Sequence, residues 1–229
     1  MTVDVEPHYG MGIPRDPYSH LNSHFKAFLE IVRQHGIPTI LFICGAVAKK
    51  FAGLLFDYVD YVDIGIHTHP SLHQRNGKLN EYSFEEQLDM IKKDRELILS
   101  SLGVEPKCFR AGEFCANQQT LLALKRLNIG VDSSIYVPYV FKFKNLKEKS
   151  WRPFIQEGIL RIPVLTYDDR IFETTFFLKR VFIETFDDIK ISCILFHSWY
   201  HNITKVVSLL KDNYLVNLDY VIDIFSKKE

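Results

Sequence analysis

The sequence has no excess of charge and no long hydrophobic run. Its 229 residues carry 28 Lys and Arg against 28 Asp and Glu, so the formal net charge is +0. A balanced chain lacks the basic surface that binds nucleic acid, and we expect no nucleic-acid partner. The chain also has no apolar run of about 18 residues or more and no basic-plus-apolar leader, so we expect no membrane span and no signal peptide.

Cysteine is scarce as well. The four cysteines, Cys44, Cys108, Cys115 and Cys193, are scattered and form no CxxC pair. Each lies in or beside an apolar stretch, which favours buried free thiols in a reducing compartment. These absences together predict a cytoplasmic protein.

What the chain does have is an alternation of short apolar runs and helical patterns. The runs TVDVE, IPTILFICG, YVDIGIHTH, GILRIPVLTY and ISCILFHSW predict strands, and the segments between several of them predict helices. Strands separated by helices are typical of parallel βαβ units. The length fits one α/β domain, which we expect to cover residues 1–229.

Several helix ends are marked by local chemistry. In SFEEQLDMIKKDRELILSSLG, Ser83 and Glu86 form a capping box and Gly103 follows the last turn. Gly36 similarly follows the first helical pattern. Single helices are predicted for AVAKKFAGLLFDYV and ITKVVSLLKDNY, whereas region 136–157 has no clear period and is interpreted as a long loop or insertion.

Polar side chains follow the predicted strands at the points where the strands end. In parallel α/β folds the groups that act on substrates collect at this edge of the sheet. The residues concerned are Asp4, Glu6, His67, His69, Arg110, Asp132 and His197.

Two pairs in this set suggest a metal site. Asp4 and Glu6 are two residues apart on a strand, so they share a face, where they repel each other unless a cation or proton lies between them. His67 and His69 have the same spacing and form a natural metal-binding pair. If Pro70 begins a helical turn, however, His69 and His73 lie on one face instead. The sequence does not choose between these pairs, and a solvated strand edge with surface histidines would explain both motifs.

The later motifs are ambiguous when taken singly. His197 follows the apolar run ISCILF and is either a hydrogen-bonded core residue or an acid–base group. Arg110, in the motif FRAG, could grip a carboxylate with both nitrogens or form an ordinary surface ion pair.

The order of the motifs resembles the polysaccharide deacetylase family, carbohydrate esterase family 4. The resemblance runs from the acidic first strand through HTHP, FRAG and DSS to the late HSW motif, over nearly the whole chain. It implies an α/β fold, a distorted (β/α) barrel in one domain, and a hydrolase that needs a divalent metal, zinc by default. The implied partner is a carbohydrate substrate.

The resemblance also implies roles for the residues of the first two motifs. Asp4 would be the general base and Glu6 an acidic metal ligand. His67 and His69 would be the histidine ligands, with His73 as the alternative second histidine.

The later motifs are assigned in the same way. Arg110 would orient the base and His197 would be the general acid. Glu113, Phe114 and Trp199 would line the substrate and oxyanion position, the backbone of the Gly112–Glu113 turn supplying an N–H.

Some positions depart from the commonest family pattern. Val5 separates the two acids of the first motif, as in a known subgroup, HxHP is shorter than the usual histidine motif, and an Asp-Trp pair is absent. The function predicted first is removal of N-acetyl groups from an amino sugar. A hydrolase of a small non-sugar amide or cyclic imide, and a non-catalytic sugar-binding protein, are the alternatives.

Overall fold

The computed structural model describes residues 1–8, 16–139, 153–167 and 195–198, with side chains omitted at 136–139, 165–167 and 195–197. The predicted last helix and the C-terminal tail lie outside these residues. The helices are α1 (His24–His35), α2 (Gly45–Lys50), α3 (Ala52–Phe56), α4 (Phe84–Leu102) and α5 (Gln118–Arg126). The strands are β1 (Thr2–Val5), β2 (Ile40–Ile43), β3 (Asp63–Thr68), β4 (Cys108–Ala111), β5 (Val131–Asp132), β6 (Tyr136–Tyr139), β7 (Phe154–Gln156), β8 (Ile159–Arg161), β9 (Val164–Tyr167) and β10 (Leu195–His197).

Eight of the strands form one sheet. Their order is β10-β1-β2-β3-β4-β5-β8-β7, while β6 and β9 pair with each other. Every neighbouring pair in the large sheet is parallel except β7 and β8, which are antiparallel. The alternation of strands and helices in the sequence therefore predicted the parallel sheet correctly.

Alternate residues of the parallel strands face two different interiors. Leu41 and Ile43 of β2 belong to the large core that the helices cover, whereas Phe42 between them belongs to a smaller core on the opposite face. Because the side-chain period of a strand is two, Asp4, between Val3 and Val5, faces the same side as Phe42. Asp4 is thereby directed to the face that carries the smaller core.

The helix ends follow the local signals in the sequence. The hydroxyl of Ser83 accepts from the backbone N–H of Glu86, whose carboxylate accepts from the backbone N–H of Ser83. Gly36 and Gly103 end α1 and α4 in the left-handed conformation, where a side chain would be strained. The predicted capping box and both terminal glycines are confirmed.

Three predictions about the elements are wrong. The run GILRIPVLTY, expected to be one strand, is divided into β8 and β9, which belong to different sheets. The segment expected to be one helix is divided into α2 and α3 by Phe51, which has φ −116° and ψ 25°. The centroid of the Phe51 ring lies 5.7 Å from that of the Tyr18 ring, so the break between the helices accompanies packing against a segment that is distant in sequence. Region 136–157, expected to be a loop, begins with β6 and contains β7; residues 140–152 lie outside the described part of the chain.

Candidate metal centre

The ends of β1 and β3 bring one carboxylate and two imidazoles together. Glu6 Oε2 lies 2.6 Å from His69 Nε2 and 3.3 Å from His67 Nε2, and the two Nε2 atoms are 3.1 Å apart. Glu6 and His67 are almost fully buried, and the His69 side chain is 13% exposed. Among the described residues, these three form the only group of histidine, cysteine and acidic side chains close enough to share a metal ion.

A hydrogen bond to the backbone of β4 fixes the orientation of the His67 ring. Its Nδ1 lies 2.9 Å from the carbonyl oxygen of Arg110, on the neighbouring strand β4. A carbonyl only accepts hydrogen bonds, so Nδ1 carries the proton and donates it. In the neutral ring, Nε2 then presents its lone pair to Glu6 and His69, which is the tautomer a metal ligand needs.

Charge–charge interactions oppose burial within this cluster. Burial alone raises the pKa of Glu6, but hydrogen bonds and charge interactions with His67 and His69 outweigh it and bring that pKa well below its usual range. Burial alone lowers the pKa of His67, but the carboxylates of Asp4 and Glu6 outweigh it and raise that pKa. The cluster thus favours positive charge between its carboxylate and its rings.

These residues fit a divalent metal. Ligands held 2.0–2.1 Å from a tetrahedral zinc lie about 3.3 Å from one another, close to the separations of 3.1 and 3.3 Å that involve His67. Glu6, His67 and His69 supply three donors, the number found in catalytic zinc sites that keep a position open. A metal would also replace the proton that now has to separate the facing nitrogens.

A buried ion pair lies beside the cluster. Arg110, on β4, is fully buried, and its Nη1 donates to Asp4 Oδ1 at 2.6 Å. Its other nitrogens donate to Thr2 Oγ1 and Ser133 Oγ, both at 3.0 Å, and to the Ser133 carbonyl at 3.1 Å. The second oxygen of Asp4 lies 3.9 Å from His67 Nε2, so this carboxylate is directed at the cluster.

The turn after β4 closes against His69. A Cβ on Gly112 would lie 2.4–2.6 Å from three atoms of the His69 ring, so only glycine allows the ring its present position. The next two residues, Glu113 and Phe114, have φ of 52° and 57°, which is costly for residues with side chains. The Glu113 side chain is exposed, and its carboxylate lies 3.5 Å from Lys78 Nζ.

The alternative ligand His73 lies elsewhere. Pro70 does begin a short 3-10 helix, Pro70–His73, as the alternative required. The ring of His73 nevertheless contacts Asp94, with Nε2 3.1 Å from Oδ2, and it is not part of the three-residue group. Sequence spacing could not show this, because Asp94 is 21 residues further along the chain.

The remaining predicted site residues are only partly described. The backbone of His197 ends β10 and pairs with Asp4, and its side chain lies outside the described residues, as does Trp199. Asp132, expected at the rim, is fully buried and pairs with Arg161 at 2.6 Å; burial raises its pKa. The carboxylate of Asp132 therefore forms an ion pair with Arg161 on the neighbouring strand β8 and is not part of the cluster.

Sequence reasoning missed two residues that shape the site, Thr2 and Ser133, and it missed the steric role of Gly112. Thr2 and Ser133 hold the guanidinium of Arg110, and Gly112 makes room for His69. Ser133 lies in the motif DSS and Gly112 in FRAG, so a signal existed for both. Nothing in the sequence around Thr2 indicated its contact with a residue 108 positions away.

The fold is a mostly parallel sheet with helices, which defines an α/β protein. The carboxyl edge of its sheet carries a candidate metal centre of two histidines and a carboxylate, beside a buried Asp–Arg pair. Comparison with known families identifies it further. The chain belongs to the polysaccharide deacetylase family, whose model matches residues 2–131. This is the family expected from the motifs. A comparison with curated protein sequences gives no significant match.

Solved structures share the fold at low sequence identity. A family 4 carbohydrate esterase from Streptomyces lividans, in complex with acetate, has a TM-score of 0.57 and 14% identity over 92% of this chain and 84% of that one. The peptidoglycan deacetylase PdaC from Bacillus subtilis has a TM-score of 0.59 and 14% identity over 99% and 90%. A CE4 family pseudoenzyme from Bacillus anthracis has a TM-score of 0.59 and 14% identity over 97% and 65%. The α/β fold expected from the sequence, a distorted (β/α) barrel, is confirmed.

None of the helices in the described part of the chain has both the length and the apolar character that crossing a membrane requires.

Proposed function

We propose that this protein is a metal-dependent hydrolase that removes N-acetyl groups from a carbohydrate. The observation that supports this most directly is the convergence of Glu6, His67 and His69 beside the Asp4–Arg110 pair. Family membership supports the substrate class. When bound, a divalent cation such as zinc polarises an acyl oxygen and lowers the pKa of bound water towards about 7.

Asp4 is the general base in this proposal. Its Oδ1 is occupied by Arg110 Nη1, which leaves Oδ2, on the side of His67, to accept the proton of the attacking water. Arg110 is held by Thr2 and Ser133 as well, so the carboxylate keeps its orientation while the proton moves. The water oxygen adds to the acyl carbon as the proton reaches Asp4.

His197 is the general acid. An amine leaves poorly as an anion, so the nitrogen needs a proton as the C–N bond breaks. The backbone of His197 pairs with that of Asp4, so the two residues to which these roles are given lie on adjacent strands, which supports the proposal. A backbone N–H of the Gly112–Glu113 turn donates to the developing oxyanion, a type of contact worth about 3 kcal/mol. Acetate and a free amino sugar are the products.

The first experiment measures metal content and acetate release. Zinc-loaded protein should hold about one metal per chain, as a single three-ligand site requires, and should release acetate from N-acetylglucosamine oligomers. His69→Ala should lose zinc, whereas the matched variant His73→Ala should still bind about one zinc per chain, because His73 contacts Asp94 and supplies no donor atom to the cluster. If His73→Ala loses zinc and His67→Ala keeps it, the ligand assignment is wrong.

The second experiment separates chemistry from metal binding. His197→Ala should abolish acetate release and retain zinc; loss of zinc in this variant would contradict the role of His197 as acid. A substrate panel that includes cyclic imides tests the alternative hydrolase. Sugar binding without hydrolysis by the zinc-loaded protein would indicate a non-catalytic member.

A further inference from the structure

Asp94 connects three segments behind the candidate metal centre. It lies in the middle of α4 and is 2% exposed. Its Oδ1 accepts from the backbone N–H of Gly45 at 3.0 Å, and its Oδ2 accepts from Thr68 Oγ1 at 2.7 Å. His73 Nε2 lies 3.1 Å from the same Oδ2 and must donate to it. One buried carboxylate thus receives three hydrogen bonds.

Two of these bonds hold the segment that carries the candidate ligands. Thr68 is the last residue of β3 and stands between His67 and His69. Since side chains alternate along a strand, the two imidazoles project to the Glu6 side while Thr68 projects towards α4. His73 ends the 3-10 helix that follows immediately. Asp94 therefore fixes the chain on both sides of His69 from the face opposite the cluster.

The packing around Asp94 leaves it little freedom to move. A Cβ on Gly45 would lie 2.7 Å from Asp94 Oδ1 and 2.8 Å from the Asp94 Cα, so α2 and α4 approach closely only because residue 45 is glycine. A carboxylate held this way can transmit the position of α4 to β3.

We propose that Asp94, acting through Thr68 and His73, is a positioning residue for the metal centre. It sets the distance and angle at which His67 and His69 face Glu6 without touching metal or substrate. The inference rests on the proposed function, because it assumes that these three residues bind a metal.

The test compares variants that remove or keep single hydrogen bonds, with zinc affinity measured by competition against a chelator. Thr68→Val removes the hydroxyl at constant shape and should weaken zinc binding by about tenfold or more, as loss of groups that orient metal ligands commonly does. Thr68→Ser keeps the hydroxyl and should bind zinc like the wild type. Asp94→Asn should weaken binding at least as much as Thr68→Val, because it changes the acceptor that Thr68 and His73 share.

A control distinguishes positioning from general loss of stability. Ile98 is fully buried on the same helix, one turn beyond Asp94, and Ile98→Ala should lower the melting temperature of the metal-free protein while leaving zinc affinity unchanged. If Ile98→Ala weakens zinc binding as much as Thr68→Val, or if Thr68→Val and Asp94→Asn bind zinc like the wild type, the positioning role is refuted. Failure of the wild type to bind zinc would instead refute the proposed function on which the role depends.

Discussion

Arg110 shows how a buried charge can be made part of a site. A guanidinium without exposed surface is costly unless its donors are paired. Here Asp4, Thr2 and Ser133 accept hydrogen bonds from the guanidinium. The centroid of the Phe42 ring lies 4.1 Å from the guanidinium carbon. The arrangement fixes the Asp4 carboxylate in one orientation, so the same contacts that offset burial also prepare the proposed base.

Gly112 provides a test at the same scale. Gly112→Ala should weaken zinc binding by at least about tenfold, because the new methyl group would occupy the space of the His69 ring and push this candidate ligand away. The backbone itself is not the obstacle, since Gly112 does not have a positive φ. Chelator competition measures the effect.

Gly130→Ala is the matched control for this prediction. Gly130 has no atom within 4 Å of the added Cβ and likewise lacks a positive φ, so alanine should be accepted without any change in zinc affinity. Zinc binding by Gly112→Ala that equals the wild type would mean that the His69 ring is not held where we describe it.

Among the elements, α4 has the clearest local definition. Ser83→Ala should lower the free energy of unfolding by about 1 kcal/mol, because the backbone N–H of Glu86 loses its side-chain acceptor. The control is Ser100→Ala near the other end of the helix, where an exposed serine is replaced by a better helix former and stability should not fall. Urea denaturation of both variants measures the difference; equal losses would contradict the capping role of Ser83.

The elements also show what the sequence could and could not predict. Both ends of α4 and the C-terminal end of α1 were predictable because the signals are local. Ser83 and Glu86 form hydrogen bonds with each other's backbone, and Gly103 and Gly36 adopt the left-handed conformation directly after the last turn. The break at Phe51 was not, because it accompanies packing of that ring against a segment far away in sequence.

In the candidate site too, local spacing was predictable and contacts between distant segments were not. The spacing of His67 and His69 on one strand predicted that they share a face, and they do. The spacing allowed a metal-binding pair of His69 and His73 equally well. The contact of His73 with Asp94 on α4 distinguishes this pair from His67 and His69, and the sequence does not show that contact. The support of Arg110 by Thr2 likewise depends on the strand order, which no local pattern encodes.

At the scale of the whole molecule, His20 links stability to pH. Burial, assisted by the nearby imidazoles of His24 and His8, lowers the pKa of His20 from 6.5 to about 4. The unfolded chain therefore binds a proton that the folded protein excludes, so the contribution of neutral His20 is complete above about pH 6.5 and is lost as the pH falls towards 4. The free energy of unfolding should rise with pH across this window, by at most about 1.4 kcal/mol per pH unit from this one group.

The measurement is urea denaturation at several pH values between 4 and 6.5. His20→Gln should flatten the rise because no imidazole remains to be protonated. The exposed His35 supplies the control variant His35→Gln, which should keep the wild-type slope. A slope unchanged by His20→Gln would show that other groups cause the pH dependence.

The strand order has a consequence for synthesis of the protein. β1 lies between β2 and β10, so during synthesis β1 can pair with β2 early but with β10 only after residue 195 has been made. At about 5–20 residues per second, one edge of β1 stays open for on the order of ten seconds. An open edge can recruit strands of other chains. We therefore expect the nascent polypeptide to depend on chaperones until translation reaches its late segments.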